Sequence, residues 1–148
     1  MVKFYQLEVK RALIYLFGDL AQIIKKVYLQ KKKLGGGALL ELSHDIDYLT
    51  WLFGSVKWVN STIRKQSNLK IDTEDTAHII FGLSGNNKKD DILANLNIDF
   101  FRHDPTRFCK VIGQKGTLHW NAIDNSIKLF EKGTDQWKIL YKKKNFRD

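Results

Sequence analysis

Gly35-Gly36-Gly37-Ala38-Leu39-Leu40-Glu41-Leu42-Ser43-His44-Asp45-Ile46-Asp47-Tyr48-Leu49-Thr50-Trp51-Leu52-Phe53-Gly54 is the stretch from which the fold can be read. Three consecutive glycines permit backbone angles that a side chain forbids, and a helical pattern starts directly after them. Apolar residues at 39, 42, 46, 49 and 53 recur at spacings of three and four, which makes one buried helix face. Glu41, His44 and Asp47 are three apart, so they climb another side of the same helix in successive turns. Asp45 reads as solvent-facing. Gly54 closes the element.

Outward from this helix the pattern divides. On the N-terminal side, residues 3 to 17 read as an amphipathic helix broken at Gly18-Asp19, and Leu20 to Leu29 suits a strand or a helix. Gln30 to Lys33 is a charged connector. On the C-terminal side the period becomes two. Strands are expected at Ser55–Arg64, Thr76–Leu83, Ile92–Phe100, Arg107–Ile112, Thr117–Trp120, Ser126–Phe130 and Trp137–Tyr141, with a polar loop over Gln66–Asp75. The alternation in Ile92–Phe100 implies a sheet with one wet face. Short turns between successive strands, such as Gly113-Gln114-Lys115-Gly116, imply antiparallel neighbours. The sheet is therefore largely antiparallel, and helices first with strands afterwards is the α+β order.

Composition narrows the function classes. The 148 residues, 43% hydrophobic and 12% aromatic, suffice for one folded domain. The lone Cys109 excludes an intrachain disulfide and a cysteine-based zinc site, which favours a reducing, cytoplasmic setting. No pair of histidines has metal-ligand spacing, so no metal is expected. The start carries no signal-peptide pattern, and Ala12 to Phe17 is too short to span a membrane. The net charge of +9 is mostly lysine, in short runs at 31–33 and 142–144. Arginine, which reads bases through a planar fork, is scarce; a solvated surface is the expected reading and nucleic acid is not an expected partner.

Several of these stretches, in register, resemble the C-terminal domain of the glucose–fructose oxidoreductase / inositol dehydrogenase / MocA (Gfo/Idh/MocA) family. The resemblance is carried by Gly35-Gly36-Gly37, Leu39-Leu40, the His44-x-x-Asp47 pair and Trp51-Leu52-Phe53-Gly54. Ile112-Gly113-x-Lys115-Gly116-Thr117-Leu118 and Asp72-Thr73-Glu74-Asp75-Thr76-Ala77 support it, and together they span residues 35 to 142. It implies an open-faced sheet with helices on one side, which forms part of a sugar-type substrate pocket and packs against another subunit through its free face. It also implies that residues 1–34 are an N-terminal helix and joint between domains, and that 35–148 are the substrate and oligomerisation domain. Parent enzymes bind NAD or NADP in a Rossmann domain. This sequence has no Gly-x-Gly-x-x-Gly and no Glu-Lys-Pro motif, so no cofactor site is expected in the chain, nor activity from it alone.

By the same resemblance His44 is the pocket histidine, an acid/base or a hydroxyl-binding group, and Asp47 orients it or touches substrate. Imidazole titrates near neutral pH, which suits proton abstraction from an alcohol. Many family members carry an acid four residues before the histidine. Here that position is Leu40, and Glu41 is the nearest acid. Glu41, Arg102 and Arg107 are candidate substrate contacts. Spacing alone also fits a plain intrahelical His44–Asp47 pair, and Arg102 and Arg107 also fit surface pairs with Asp99 or Asp104. His78 and His119 read as structural, Cys109 as inert filling. Trp58, Trp120 and Trp137 read as core or sheet-interface residues. The rival reading is a non-catalytic, self-associating module.

Overall fold

The structure, a computed structural model, describes residues 4–12, 33, 35–85 and 91–143. Eight strands form one sheet: β1 (Phe4–Ala12), β2 (Val56–Arg64), β3 (Thr76–Leu83), β4 (Ile92–Asp99), β5 (Thr106–Gly113), β6 (Gly116–Asn121), β7 (Ser126–Glu131) and β8 (Trp137–Lys142). Their spatial order is β2-β3-β4-β1-β5-β6-β7-β8. Every neighbouring pair is antiparallel except β1 with β4. Two helices, α1 (Ala38–Glu41) and α2 (His44–Phe53), pack on one face. The expected α+β architecture is the one observed.

One expectation fails at once. Phe4–Ala12 is a strand, not the first part of a helix over 3–17. Leu7 and Val9 are fully buried, while Gln6 is exposed and Glu8 and Lys10 are half-buried. That is an alternation of period two. The segment sits mid-sheet, with Val9 opposite Leu96 on one side and Cys109 on the other. Backbone groups paired along both edges outweigh the helix preference of residues such as Glu8 and Lys10. Residues 13–17 and Leu20–Leu29 lie outside the described residues.

The alternation continues across the sheet. Ala77, Ile79, Phe81 and Leu83 of β3 and Ile92, Ala94, Leu96 and Ile98 of β4 form the helix-side face, and all are buried. Leu42, Leu49 and Phe53 cover them from the helices. The opposite face carries Trp58, Ile80, Leu93, Trp137 and Ile139, all exposed, beside polar side chains such as Asn95 and Asn97. Trp58 lies over Gly82, where an added Cβ would meet the indole.

The helix expected as one piece is two. Between α1 and α2 the chain tightens at Leu42-Ser43: the Asp45 N–H bonds to Leu42 O at 3.2 Å and the Ile46 N–H to Ser43 O at 2.8 Å. The buried stripe is consequently Ala38, Leu42, Asp45, Leu49 and Phe53. Asp45, expected in solvent, has no exposure at all. Gly37 begins the element with φ +124, a left-handed angle that disfavours any side chain. A Cβ there would strike the Glu74 carboxylate, which accepts the Leu39 N–H at 3.1 Å.

Candidate functional site

The helices run so that the start of α2 lies at the end of the sheet where β5 begins and β4 finishes. At that end Glu41 closes α1, His44 opens α2 and Asp47 follows one turn later; all three are exposed. Glu41 thus belongs to one helix and His44 with Asp47 to the next, His44 and Asp47 one turn apart on α2. Arg102 lies in the β4–β5 connection at the same end. Its N–H and Nε donate to Asp99 at 2.9 and 3.4 Å, and Nη1 stands 3.7 Å from Asp104. The surface pairing anticipated for Arg102 is therefore present.

Arg107 does something else. From the second position of β5 it reaches under α2, where Nη2 donates to Asp45 Oδ1 at 3.3 Å. Its guanidinium lies 5.5 Å from the Trp120 ring centroid, and Tyr48 meets Trp120 edge-to-face at 5.7 Å. Burial pushes the Tyr48 phenol well above its ordinary value, with Cys109 and Asp45 adding and Arg107 opposing. Its hydroxyl is buried without a hydrogen bond of ordinary geometry among the described residues. Burial also pushes the Cys109 thiol up to about 12, against a lowering from Tyr48. At neutral pH this cysteine is a protonated filler, in agreement with its sequence reading.

Asp45, Tyr48 and the true direction of Arg107 were missed by sequence reasoning. The signal was available: counting back from Phe53 and Leu49 in steps of four lands on Asp45, and an acid on a core stripe demands a cation. Two further acids work at this end. Asp75, fully buried, accepts the Gln66 and Ser67 N–H groups at 2.7 and 2.9 Å and the Ser67 hydroxyl at 2.5 Å. Glu74 holds the start of α1, as described above. Together they fold the 65–75 loop against the helix start.

Elsewhere, His78 is exposed on the free sheet face. His119 on the same face lies between the Phe108 and Trp137 rings, at 5.4 and 6.0 Å. Burial, then Lys110 and Lys128, lowers its pKa. A groove of about 740 Å³, lined by Phe4, Leu52, Phe53, Val111, Leu118 and Leu129 among others, opens at the far end of α2, away from His44. Among the described residues no three His, Cys, Asp or Glu side chains are placed to hold a metal. No described helix is long and apolar enough to cross a membrane.

Comparison with known proteins follows this geometry. A family model described as the GFO/IDH/MocA C-terminal domain matches residues 15–119. No curated protein matches the sequence. Among solved structures, the UDP-N-acetylglucosamine 3-dehydrogenase GnnA of Acidithiobacillus ferrooxidans is similar at TM-score 0.67 and 17% identity, over 97% of this chain and 40% of that one. The WlbA dehydrogenase of Bordetella pertussis, in complex with NADH and UDP-GlcNAcA, gives 0.68 and 20%, over 93% and 38%. An inositol dehydrogenase homologue of Azotobacter vinelandii, complexed with NAD+, gives 0.73 and 13%, over 93% and 36%. At such identities the likeness is one of fold. The chain spans about two-fifths of the length of these structures.

Proposed function

Since this chain belongs to the GFO/IDH/MocA oxidoreductases, as a C-terminal domain, we propose that it supplies the substrate side of a sugar or sugar-derivative dehydrogenase pocket. The observation that carries the reading is the exposure of Glu41, His44 and Asp47 around the junction of α1 and α2. Neutral His44 accepts the proton of a substrate hydroxyl, and Asp47, one turn on, steadies the imidazolium that forms. Glu41 and Arg102 offer an acceptor and donors to neighbouring hydroxyls. The relatives that share the fold include dehydrogenases of a UDP-sugar and an inositol dehydrogenase homologue. Polyhydroxylated substrates suit a face of this kind.

NAD or NADP would serve as hydride acceptor in the assembled enzyme. This chain does not fit the nucleotide: its sequence lacks the glycine-rich strand–turn–helix, and its described parallel pair, β1 with β4, has no such turn in its described part. The pocket is then closed by another domain, and the chain alone does not turn over; Phe4–Ala12, expected within a joint over residues 1–34, is instead a strand of the sheet itself. Its buried thiol and lack of cysteine pairing suit the cytoplasm.

The test is direct. With the imidazole of His44 assigned by NMR, UDP-N-acetylglucosamine, inositol and simple hexoses are titrated into the chain, and NAD(P)-dependent oxidation of each is assayed. We expect at least one sugar to shift His44 while none is oxidised. A His44 resonance untouched by every sugar would refute the substrate role, and robust turnover would refute the two-part pocket.

A second reading, a self-associating module, has its own support. The free sheet face exposes Trp58, Ile80, Leu93, Trp137 and Ile139, with Phe130 packed on Trp137 at 5.5 Å. Apolar side chains lined up on one flat face mark an interface, and the two readings are compatible in one protein.

A further inference from the structure

The first turn of α2 is held locally by backbone bonds, the Asp45 N–H to Leu42 O and the Ile46 and Asp47 N–H groups to Ser43 O. Ser43, its N-cap, makes no capping bond; its hydroxyl turns back to Leu40 O at 2.8 Å. No side-chain cap therefore anchors the helix start, and His44 is its first residue. The adjacent residue supplies what the cap does not. Asp45 is wholly buried and bonded to Arg107 Nη2, Arg107 is braced on Trp120, and Trp120 on Tyr48, which belongs to α2 again. The contacts form a closed circuit from helix through β5 and β6 back to helix. A buried ion pair is a poor way to gain stability, because apolar residues of similar volume do as well or better. What a directional ion pair supplies, and packing does not, is a fixed register of helix on sheet.

We propose that Asp45 and Arg107 are positioning residues for His44, holding the imidazole at a set place on the pocket rim. On this view Arg107 acts through the helix and not as a substrate grip. The inference rests on the reading of His44 as the pocket group, but it is tested without substrate. Backbone 15N relaxation and amide hydrogen exchange are measured on the 148-residue chain and on its D45L/R107M variant, alongside urea unfolding. In the unmodified chain His44 is expected to be as ordered as Leu49 at the centre of α2. In D45L/R107M the urea midpoint should stay within a tenth of its original value. The Ile46 and Asp47 amides, which bond to Ser43 O, should nonetheless exchange at least tenfold faster. R107K, a point charge without the fork, should fall between.

Unchanged protection in D45L/R107M would overturn the proposal, leaving the pair as packing. A disordered His44 in the unmodified chain would overturn it too, even if the variants do not fold. An ordered His44 that no sugar perturbs would instead remove the proposed function and leave the positioning intact.

Discussion

At the scale of single residues, one acid on which the helix packing rests is invisible from outside. Asp45 leaves water completely, and Arg107 follows with a third of its side chain still wet. Removing only one partner strands the other, so Asp45→Asn should cost about 3 kcal/mol by urea unfolding, far more than Asp47→Asn on the exposed face. Cys109 gives a pH prediction. Its folded pKa of about 12 stands above its ordinary 9.0, so its contribution is complete below pH 9.0 and is lost as pH rises toward 12. The raised Tyr48 acts in the same direction. Stability should therefore fall on the alkaline side, and Cys109→Ala with Tyr48→Phe should flatten that fall in thermal scans. His119 has the opposite sign: its lowered pKa gives stability above its ordinary 6.5 that is lost on acidification, a loss that His119→Gln should remove.

At the scale of elements, the strands from β2 onward were legible because each carries its own alternation and its own turn. Thr76–Leu83 is found with the bounds expected, and Gly113–Gly116 forms the expected reversal. Two readings went astray, the first because tertiary context overrode local preference. Phe4–Ala12 has helix-forming residues, yet its Leu7-Glu8-Val9-Lys10 alternation only gains meaning once strands lie on both sides. The helix after the glycines was legible, but its phase was not, because the tightening at Leu42-Ser43 shifts which residues face inward. Glu41, His44 and Asp47 are each exposed all the same. The loop over Gln66–Asp75 was correctly polar, but only the structure shows that Asp75 gathers it by three bonds. Asp75→Ala removes the charged acceptor of three bonds, from the exposed Gln66 and the half-buried Ser67, at about 1–3 kcal/mol. We expect lower urea stability together with faster exchange of the Gln66 and Ser67 amides.

At the scale of the molecule, the sheet has a helix-covered face and a free one, and the free one predicts association. Trp137→Ser combined with Ile139→Ser, both on exposed β8, should shift sedimentation toward monomer without loss of fold; an unchanged profile would show that the face is simply solvated. The topology carries a different consequence. β2–β4 form one antiparallel ribbon and β5–β8 another, and the described sheet joins them only through β1. Phe4–Ala12 is thus a keystone contributed by the opposite end of the chain from both ribbons. Cut away, it should leave two raw margins prone to clumping, and a synthetic nonapeptide of the same sequence should slot into the vacant lane and restore solubility. An enzyme reassembled from fragments, or a peptide that competes for that lane, becomes a practical handle on when this domain exists at all.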